Sequence, residues 1–234
     1  WSFKKYFNHY KDVNWEWRFF PFSDDINKVD DFKFKVTKKY NNISILEVGS
    51  SMGQAYKFLK SQENIDTKNY TGIDVSKTAF DHCSKIHPEA RWINENFAEY
   101  HLNEKFDYSY ERHSVHHMPR PLEQFEKILR NTNQAFTTTF RGCVHGPTIS
   151  DLEVGYFENE TGKYFMNIIN FLEVIKTGIK YNFNNIKVDF RGLHEKIPNR
   201  LDSDGMVLSE KIDIKKILLS RFIISFRKDE INKN

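Results

Sequence analysis

Short apolar runs alternate with helical hydrophobic periodicities through the first 140 residues of the chain. Residues 43–48 form a nearly continuous run of apolar residues, which is typical of a strand covered on both faces of a parallel sheet. Residues 70–75, 90–94, 106–111 and 134–140 predict four further strands. The sequence therefore predicts at least five strands in this part of the chain.

The segments between these strands carry apolar residues at helical spacing. After the first strand, Met52, Ala55, Tyr56 and Leu59 follow the i, i+3, i+4, i+7 pattern of one helix face. A second helix is predicted after Ser76, whose hydroxyl suits an N-cap, and a third follows the fourth strand. Strands and helices in alternation predict right-handed crossovers and a doubly wound α/β sheet, mostly parallel, with helices on both faces.

The pattern changes in the C-terminal third. Apolar residues recur at helical spacing from Tyr164 to Ile175 and predict an amphipathic helix there, after an irregular stretch that reaches about residue 161. Residues 185–190 alternate between apolar and polar positions, and residues 217–226 form a long apolar run. We expect these two segments to close one edge of the sheet as an antiparallel hairpin.

Composition narrows the classes of function. The formal charge of +3 arises from 35 basic and 32 acidic residues that are mixed along the chain, so we expect no nucleic-acid partner. With only two cysteines the chain has no disulfide framework, which favours a reducing, cytoplasmic location. Since no segment reaches the ~20 apolar residues of a membrane span, we also expect no membrane partner.

A carboxylate stands unexpectedly inside the first strand. Glu47 precedes the turn of residues 49–53, which reads Gly-Ser-Ser-Met-Gly and leads into a helix. Ligands of doubly wound sheets bind at such strand ends, but the G-x-G-x-x-G pattern of nicotinamide-binding proteins is absent and Glu47 would repel a pyrophosphate. The turn favours a ligand that carries a positive charge.

Three segments together resemble the motifs of a known family. Residues 45–53 (ILEVGSSMG), 70–76 (YTGIDVS) and 106–121 (FDYSYERHSVHHMPRP) are similar to the first-strand, second-strand and fourth-strand motifs of class I S-adenosylmethionine-dependent methyltransferases, small-molecule branch. The resemblance covers about residues 43–140. It implies a Rossmann-like, seven-stranded sheet and S-adenosyl-L-methionine as the cofactor.

The resemblance also implies a single methyltransferase domain over residues 1–234. Residues 1–40, rich in aromatic side chains, would cover the site, and residues 41–140 would form the cofactor-binding core. Residues 141–234 would supply a substrate-side insertion and the C-terminal strands.

The same resemblance assigns cofactor contacts residue by residue. Glu47 would accept hydrogen bonds from the cofactor's α-ammonium, and Asp74 would bind both ribose hydroxyls. Ser51 stands where the family usually has a glycine. The full set of implied cofactor residues is Glu47, Gly49, Ser51, Gly53, Asp74, Val75, Asn96, Phe97, Glu111 and Arg112, with Glu95 as an alternative to the pair Asn96 and Phe97.

Three histidines follow the fourth strand and provide candidates for a general base. Imidazole suits that role because its pKa lies near neutrality. His113 is the first choice, ahead of His117 and His116, although one of the adjacent pair could be structural. His113 and His117 are spaced i, i+4, but no HExxH pattern or third ligand accompanies them, so we expect no metal.

The acceptor site is the least constrained part of the prediction. Arg141, His145 and Trp17 are candidate substrate contacts, and Trp15, Phe19 and Phe20 could complete an aromatic lid or pack within an N-terminal helix. We expect a small-molecule acceptor methylated on oxygen or nitrogen. An RNA or protein methyltransferase and a non-catalytic cofactor-binding subunit remain the alternatives.

Overall fold

A computed structural model describes residue 36 and residues 38–159, 162–194, 206–208 and 219–229. Eleven named strands and four α-helices occur in this part of the chain. Most of the proposed N-terminal cover, including Trp17, lies outside the described residues. The division of the chain into a cover, a core and a substrate-side part stays a prediction.

The main sheet has the strand order β3-β2-β1-β4-β5-β11-β9, and β8 pairs with β5 as an eighth strand. Its first five strands are parallel. They are β1 (Ser44–Val48), β2 (Asn69–Asp74), β3 (Arg91–Asn94), β4 (Phe106–Arg112) and β5 (Thr132–Cys143). The order reverses between β1 and β4, which places the topological switch point beside the turn that follows β1.

Helices connect the parallel strands as the apolar spacing predicts. They are α1 (Gln54–Lys60), α2 (Lys77–Ile86), α3 (Pro121–Arg130) and α4 (Phe171–Lys180), with a 3₁₀ turn at Val115–His117. Ser76 caps α2 by accepting a hydrogen bond from the Ala79 N–H. None of the described helices combines the length and the apolar character needed to cross a membrane.

Two hydrophobic clusters flank the sheet because successive side chains of a strand point to opposite faces. Ile45 packs in one cluster together with the buried face of α1, whereas Leu46 and Val48 pack in the other with residues of α3. The alternation places Glu47 on the Ile45 face. A mostly parallel Rossmann-like sheet with helices on both faces is confirmed.

The predicted antiparallel closure is also present. Strand β11 (Leu219–Arg227) pairs antiparallel with β5 and with β9 (Asn185–His194). A short strand, β8 (Ile169–Asn170), lies on the other side of the β5 end.

The helix predicted from Tyr164 is wrong in its first half. Tyr164 and Phe165 belong to β7 (Gly162–Phe165), which forms a separate small sheet with β6 (Gly155–Asn159) and β10 (Met206–Leu208). The helix begins only at Phe171, because the Asn170 side chain accepts hydrogen bonds from two N–H groups of its first turn. Before residue 171, Ile168 and Ile169 are buried through bridge and strand pairing, whereas Tyr164 is 43% exposed, so the apolar spacing there does not mark one helix face.

Candidate functional site

The turn after β1 requires backbone that ordinary residues rarely adopt. Gly49 and Gly53 have φ angles of 75° and 72°, and Ser51 has a φ of 49°. A Cβ added to Gly49 would lie 1.8 Å from the Ser114 Oγ, so only glycine fits there. The serine at position 51 therefore takes the left-handed conformation that the family's usual glycine would supply.

Asp74, the last residue of β2, ties this turn to its own strand. One carboxylate oxygen accepts a hydrogen bond of 2.7 Å from the Ser51 N–H, and the other accepts one of 2.8 Å from the Ser76 N–H. Burial raises the pKa of the Asp74 carboxyl, and these two hydrogen bonds oppose the rise. The side chain links the β1 turn to the start of α2.

Glu47 is buried beneath the same turn. Its carboxylate accepts a hydrogen bond from the Tyr70 hydroxyl, which reaches it from the adjacent strand β2. Burial raises the pKa of the Glu47 carboxyl from 4.5 to about 8, and the Tyr70 hydrogen bond only partly opposes this effect. The exposed fraction of Glu47 is 6%. The site thus holds a carboxyl group that is largely protonated near neutral pH when no cation lies beside it.

An apolar side chain is exposed directly beside Asp74. Val75 is 72% exposed, which is unusual for a valine and leaves a surface on which a flat ring can pack. The next predicted contacts are placed differently. The Asn96 side chain accepts a hydrogen bond of 3.1 Å from the Ala98 N–H, and Phe97 is 2% exposed within the core.

The Phe97 ring has little surface to offer a ligand. The Lys127 Nζ lies 4.1 Å from its centroid and also donates a hydrogen bond to the Phe97 carbonyl. A cofactor contact by Phe97 stays a prediction, which this packing disfavours. A cofactor contact by Asn96 also stays a prediction.

Glu111 organises the turn that carries the histidines. It is fully buried near the end of β4, and one oxygen accepts hydrogen bonds of 3.0 and 3.1 Å from the Ser114 and Val115 N–H groups. The other oxygen accepts a hydrogen bond from the Thr138 hydroxyl. Burial raises the pKa of the Glu111 carboxyl to about 7 despite these contacts. Such enclosure suits a residue that shapes the turn.

Arg112 and His113 follow at the strand end. Both are partly exposed, and the positive charge of Arg112 lowers the pKa of both Glu47 and Glu111. His113 has a φ of 52°, and its N–H donates a hydrogen bond of 2.8 Å to the Thr139 carbonyl. The backbone of β5 therefore fixes the left-handed turn at His113.

The structure brings all three histidines together. The ring centroids of His113 and His116 lie 5.2 Å apart, and those of His116 and His117 lie 4.0 Å apart. His116 is 3% exposed, whereas His117 is exposed. Within the described part of the chain, no three His, Cys, Asp or Glu side chains are arranged to hold a metal ion.

The predicted substrate contacts are less closely grouped. Arg141 is partly exposed near the end of β5, and its charge, together with burial and the other histidines, lowers the pKa of His116. His145 is exposed on the loop that follows β5. Arg141 is thus near the histidine turn, while no contact described here joins His145 to it.

Several partners in this site could not be inferred from residue patterns. Tyr70 points at Glu47 because both side chains project from the same face of neighbouring strands, and that fact depends on register. Ser114 lies against Gly49, and Asn167 contacts the histidine turn from a distant part of the chain. The sequence offered one signal for Ser114, its position just after β4 between His113 and His116.

Comparisons with known proteins find a matching family profile and solved structures of similar fold. Residues 46–134 match the sequence profile of a family described as a methyltransferase domain. A search of curated proteins finds no match. Among solved structures, the N-terminal domain of EvdMO1 with bound S-adenosylhomocysteine has a TM-score of 0.55 at 10% identity, covering 80% of this chain and 75% of that chain.

Two further solved structures share the fold. A protein from Listeria monocytogenes assigned as an S-adenosylmethionine-dependent methyltransferase has a TM-score of 0.51 at 12% identity, covering 81% of this chain and 92% of that chain. Phosphoethanolamine N-methyltransferase 2 from Haemonchus contortus has a TM-score of 0.52 at 15% identity, covering 82% of this chain and 49% of that chain. At these identities the likeness concerns the fold.

Proposed function

We propose that the chain is a class I S-adenosylmethionine-dependent methyltransferase that methylates an oxygen or nitrogen atom of a small-molecule acceptor, since residues 46–134 match a methyltransferase-domain family and the fold is shared with such enzymes. The matched methyltransferase domain and the structural neighbours support an enzyme that transfers methyl groups and uses S-adenosyl-L-methionine. The acceptor class is the finer part of the proposal. The observation that carries it is the placement of a histidine cluster at the β4 end, one strand away from the β1 turn with its two acidic neighbours.

The residues around the β1 turn fit the cofactor in shape and in charge. Gly49 leaves no Cβ between the backbone and Ser114, and Val75 offers an exposed apolar surface. Each Asp74 oxygen accepts one backbone hydrogen bond and retains lone-pair capacity for a ribose hydroxyl. Glu47 supplies a carboxylate for the α-ammonium. We propose that these residues hold the cofactor.

The cofactor supplies an electrophilic methyl group on a sulfonium. The chain would contribute three things: binding through Glu47 and Asp74, a rigid turn held by Glu111, and polar groups that orient the acceptor. His113, His116 and His117 are the groups placed to contact the acceptor's proton, and Arg141 adds positive charge beside them. His113 stays our first candidate for a base because it is partly exposed beside buried His116, whereas the His117 Nδ1 is hydrogen-bonded to the Phe165 carbonyl.

Two structural neighbours support a small acceptor only indirectly. The EvdMO1 domain was crystallised in the presence of D-fucose, and the Haemonchus enzyme with phosphomonomethylethanolamine. The mixed charge of the chain also agrees with an acceptor that is not a nucleic acid. Neither point identifies the molecule.

The proposed function is tested by methyl transfer from S-adenosylmethionine carrying a labelled methyl group. The protein is incubated with a cell extract that has been separated into metabolite and macromolecular fractions. We expect label in a metabolite, and much less of it when Asp74→Ala replaces the native protein at a limiting cofactor concentration. Label confined to RNA or protein would contradict the small-molecule proposal, and tight cofactor binding without any labelled product would contradict catalysis.

A further inference from the structure

The adjacent histidines form a hydrogen-bonded chain that ends on a backbone carbonyl. The Nε2 atoms of His116 and His117 lie 2.9 Å apart. The Nδ1 of His117 lies 2.9 Å from the carbonyl oxygen of Phe165, the last residue of β7. The small β6–β7 sheet therefore contacts the histidine turn through a specific ring nitrogen.

These two hydrogen bonds determine which ring nitrogens of His116 and His117 carry protons. A carbonyl oxygen can only accept, so the His117 Nδ1 must carry the proton that it donates to Phe165. In a neutral His117 the Nε2 is then an acceptor, and the proton between the two rings belongs to the Nε2 of His116. A neutral His116 is left with a lone pair on Nδ1.

That Nδ1 is buried and has no hydrogen-bond partner among the residues that the structure describes. The neighbouring Asn167 shows the same feature. Its side-chain Nδ2 donates a hydrogen bond of 2.6 Å to the Met118 carbonyl, and its backbone N–H donates one of 2.9 Å to the His116 carbonyl. Its side-chain Oδ1 is buried without a partner among the described residues. His116 and the neighbouring Asn167 thus provide two buried acceptors that no donor among the described residues satisfies, although unsatisfied buried polar groups are costly and rare.

We propose that His116, with its tautomer set by His117 and the Phe165 carbonyl, receives a hydrogen bond through Nδ1 from an N–H or O–H group of the methyl acceptor. This inference rests on the proposed function and narrows it. The acceptor atom carries a hydrogen when it binds, so an amine or a hydroxyl fits and a carboxylate does not. His117 is a positioning residue because it acts through His116.

The surroundings of His116 keep its ring neutral, so that its Nδ1 can accept a hydrogen bond. Burial lowers the pKa of His116 well below its usual value, and the charges on His117, His113 and Arg141 lower it further. A protonated ring would present a donor at Nδ1 and repel the same substrate groups. Asn167, whose backbone N–H donates to the His116 carbonyl, supplies a second buried acceptor beside this turn.

The first test needs no substrate. Nitrogen NMR on the protein labelled with ¹⁵N at histidine, saturated with S-adenosylhomocysteine at neutral pH, distinguishes ring nitrogens that carry a proton from those that carry a lone pair. We expect His116 protonated on Nε2 alone and His117 on Nδ1 alone. A His116 protonated on Nδ1, or on both nitrogens, would overturn the inference.

The second test uses two substitutions that separate the ring nitrogens of His116. In His116→Asn the amide oxygen can stand where Nδ1 was, whereas His116→Gln reaches the Nε2 position and leaves no acceptor at Nδ1. We expect His116→Gln to lower kcat/KM for the labelled metabolite about 10- to 100-fold, and His116→Asn to retain most of it. The exposed histidine variant His101→Gln is the control and should match the native protein.

The affinity for S-adenosylhomocysteine separates failure of this inference from failure of the proposed function. It should be unchanged in both His116 variants, which also shows that they fold. Equal loss of turnover in the two variants, or native turnover in His116→Gln, would mean that an ordered water alone occupies the Nδ1 position. A product methylated on a carboxylate, a thioether or carbon would overturn the inference while leaving cofactor binding intact.

Discussion

The Asp74 carboxylate accepts a hydrogen bond of 2.7 Å from the Ser51 N–H, so the end of β2 holds the turn that follows β1. This contact connects the two parts of the site that carry its carboxylates, the strand end with Asp74 and the turn that follows Glu47. It also explains how the turn tolerates a serine in place of the family's usual glycine. The N–H of Ser51, the left-handed residue, is hydrogen-bonded to Asp74, the residue that we propose binds the ribose.

Replacing Asp74 should therefore weaken cofactor binding more than a charge change alone. Asp74→Ala removes the proposed ribose contacts and frees the Ser51 N–H. Since a hydrogen bond to a charged group contributes ~1.5–3 kcal/mol, we expect at least a tenfold loss of affinity for S-adenosylhomocysteine by calorimetric titration. Asp81→Ala, an exposed carboxylate on α2, is the matched control. Tight NADH binding with no S-adenosylhomocysteine signal would refute the cofactor assignment.

Cofactor binding should release a proton from Glu47. With a pKa of about 8, the carboxyl is mostly protonated at pH 7 before binding. An α-ammonium placed beside it favours the ionised form, so its pKa falls on binding and affinity rises as pH increases toward 8. Titrations of S-adenosylhomocysteine in two buffers with different ionisation enthalpies measure the release. Glu47→Gln should abolish it, and equal release by that variant would contradict the assignment.

Gly49 should not tolerate even alanine. Its φ of 75° is strained for a residue with a side chain, and the new Cβ would meet the Ser114 Oγ at 1.8 Å and its Cβ at 2.5 Å. We expect Gly49→Ala to lower the free energy of unfolding in urea by ~1–3 kcal/mol or more.

A double variant separates the two causes of that loss. Adding Ser114→Gly removes both contacts and should recover part of the stability, because the strain at positive φ remains. Full recovery would show that backbone strain contributes nothing. No recovery would show that Ser114 is not the obstacle.

The pH dependence of stability should report Glu111. Its pKa is raised from 4.5 to about 7 in the folded protein, so the folded state binds the proton more tightly than the unfolded state. The stabilisation is complete below pH 4.5 and is lost as pH rises through 7, at ~1.4 kcal/mol per pKa unit. Other groups also titrate in this range, so the informative quantity is a difference. Relative to native protein, Glu111→Gln should become more stable as pH rises between these values; a constant difference would contradict it.

The sequence predicted the parallel core well because apolar runs and helical spacing are patterns of neighbouring residues. The apolar run before Glu47 and the face of Met52, Ala55 and Leu59 follow from covered strands and amphipathic helices, and all three of these helix-side residues are buried. The separate sheet of β6, β7 and β10 was not predicted. Its strand β10 pairs with β6 from about 50 residues away in sequence, and β7 packs on the 3₁₀ turn, so neither contact is visible in a local pattern.

The sequence predicted which residue types form the candidate site better than it predicted their hydrogen-bond partners. The motif positions of Glu47 and Asp74 are enough to expect two carboxylates at adjacent strand ends. The contact between Tyr70 and Glu47, and the chain from His116 through His117 to β7, require the register and the tertiary packing. Phe97 illustrates the limit, since an apolar residue in a motif can face the core as readily as a ligand.

A crystal structure of the protein with S-adenosylhomocysteine tests the central claim most directly. The account predicts that the Asp74 carboxylate accepts hydrogen bonds from both ribose hydroxyls and that Glu47 lies beside the α-ammonium, directly or through one water. A ligand bound elsewhere, or either carboxylate directed away from it, would contradict the account.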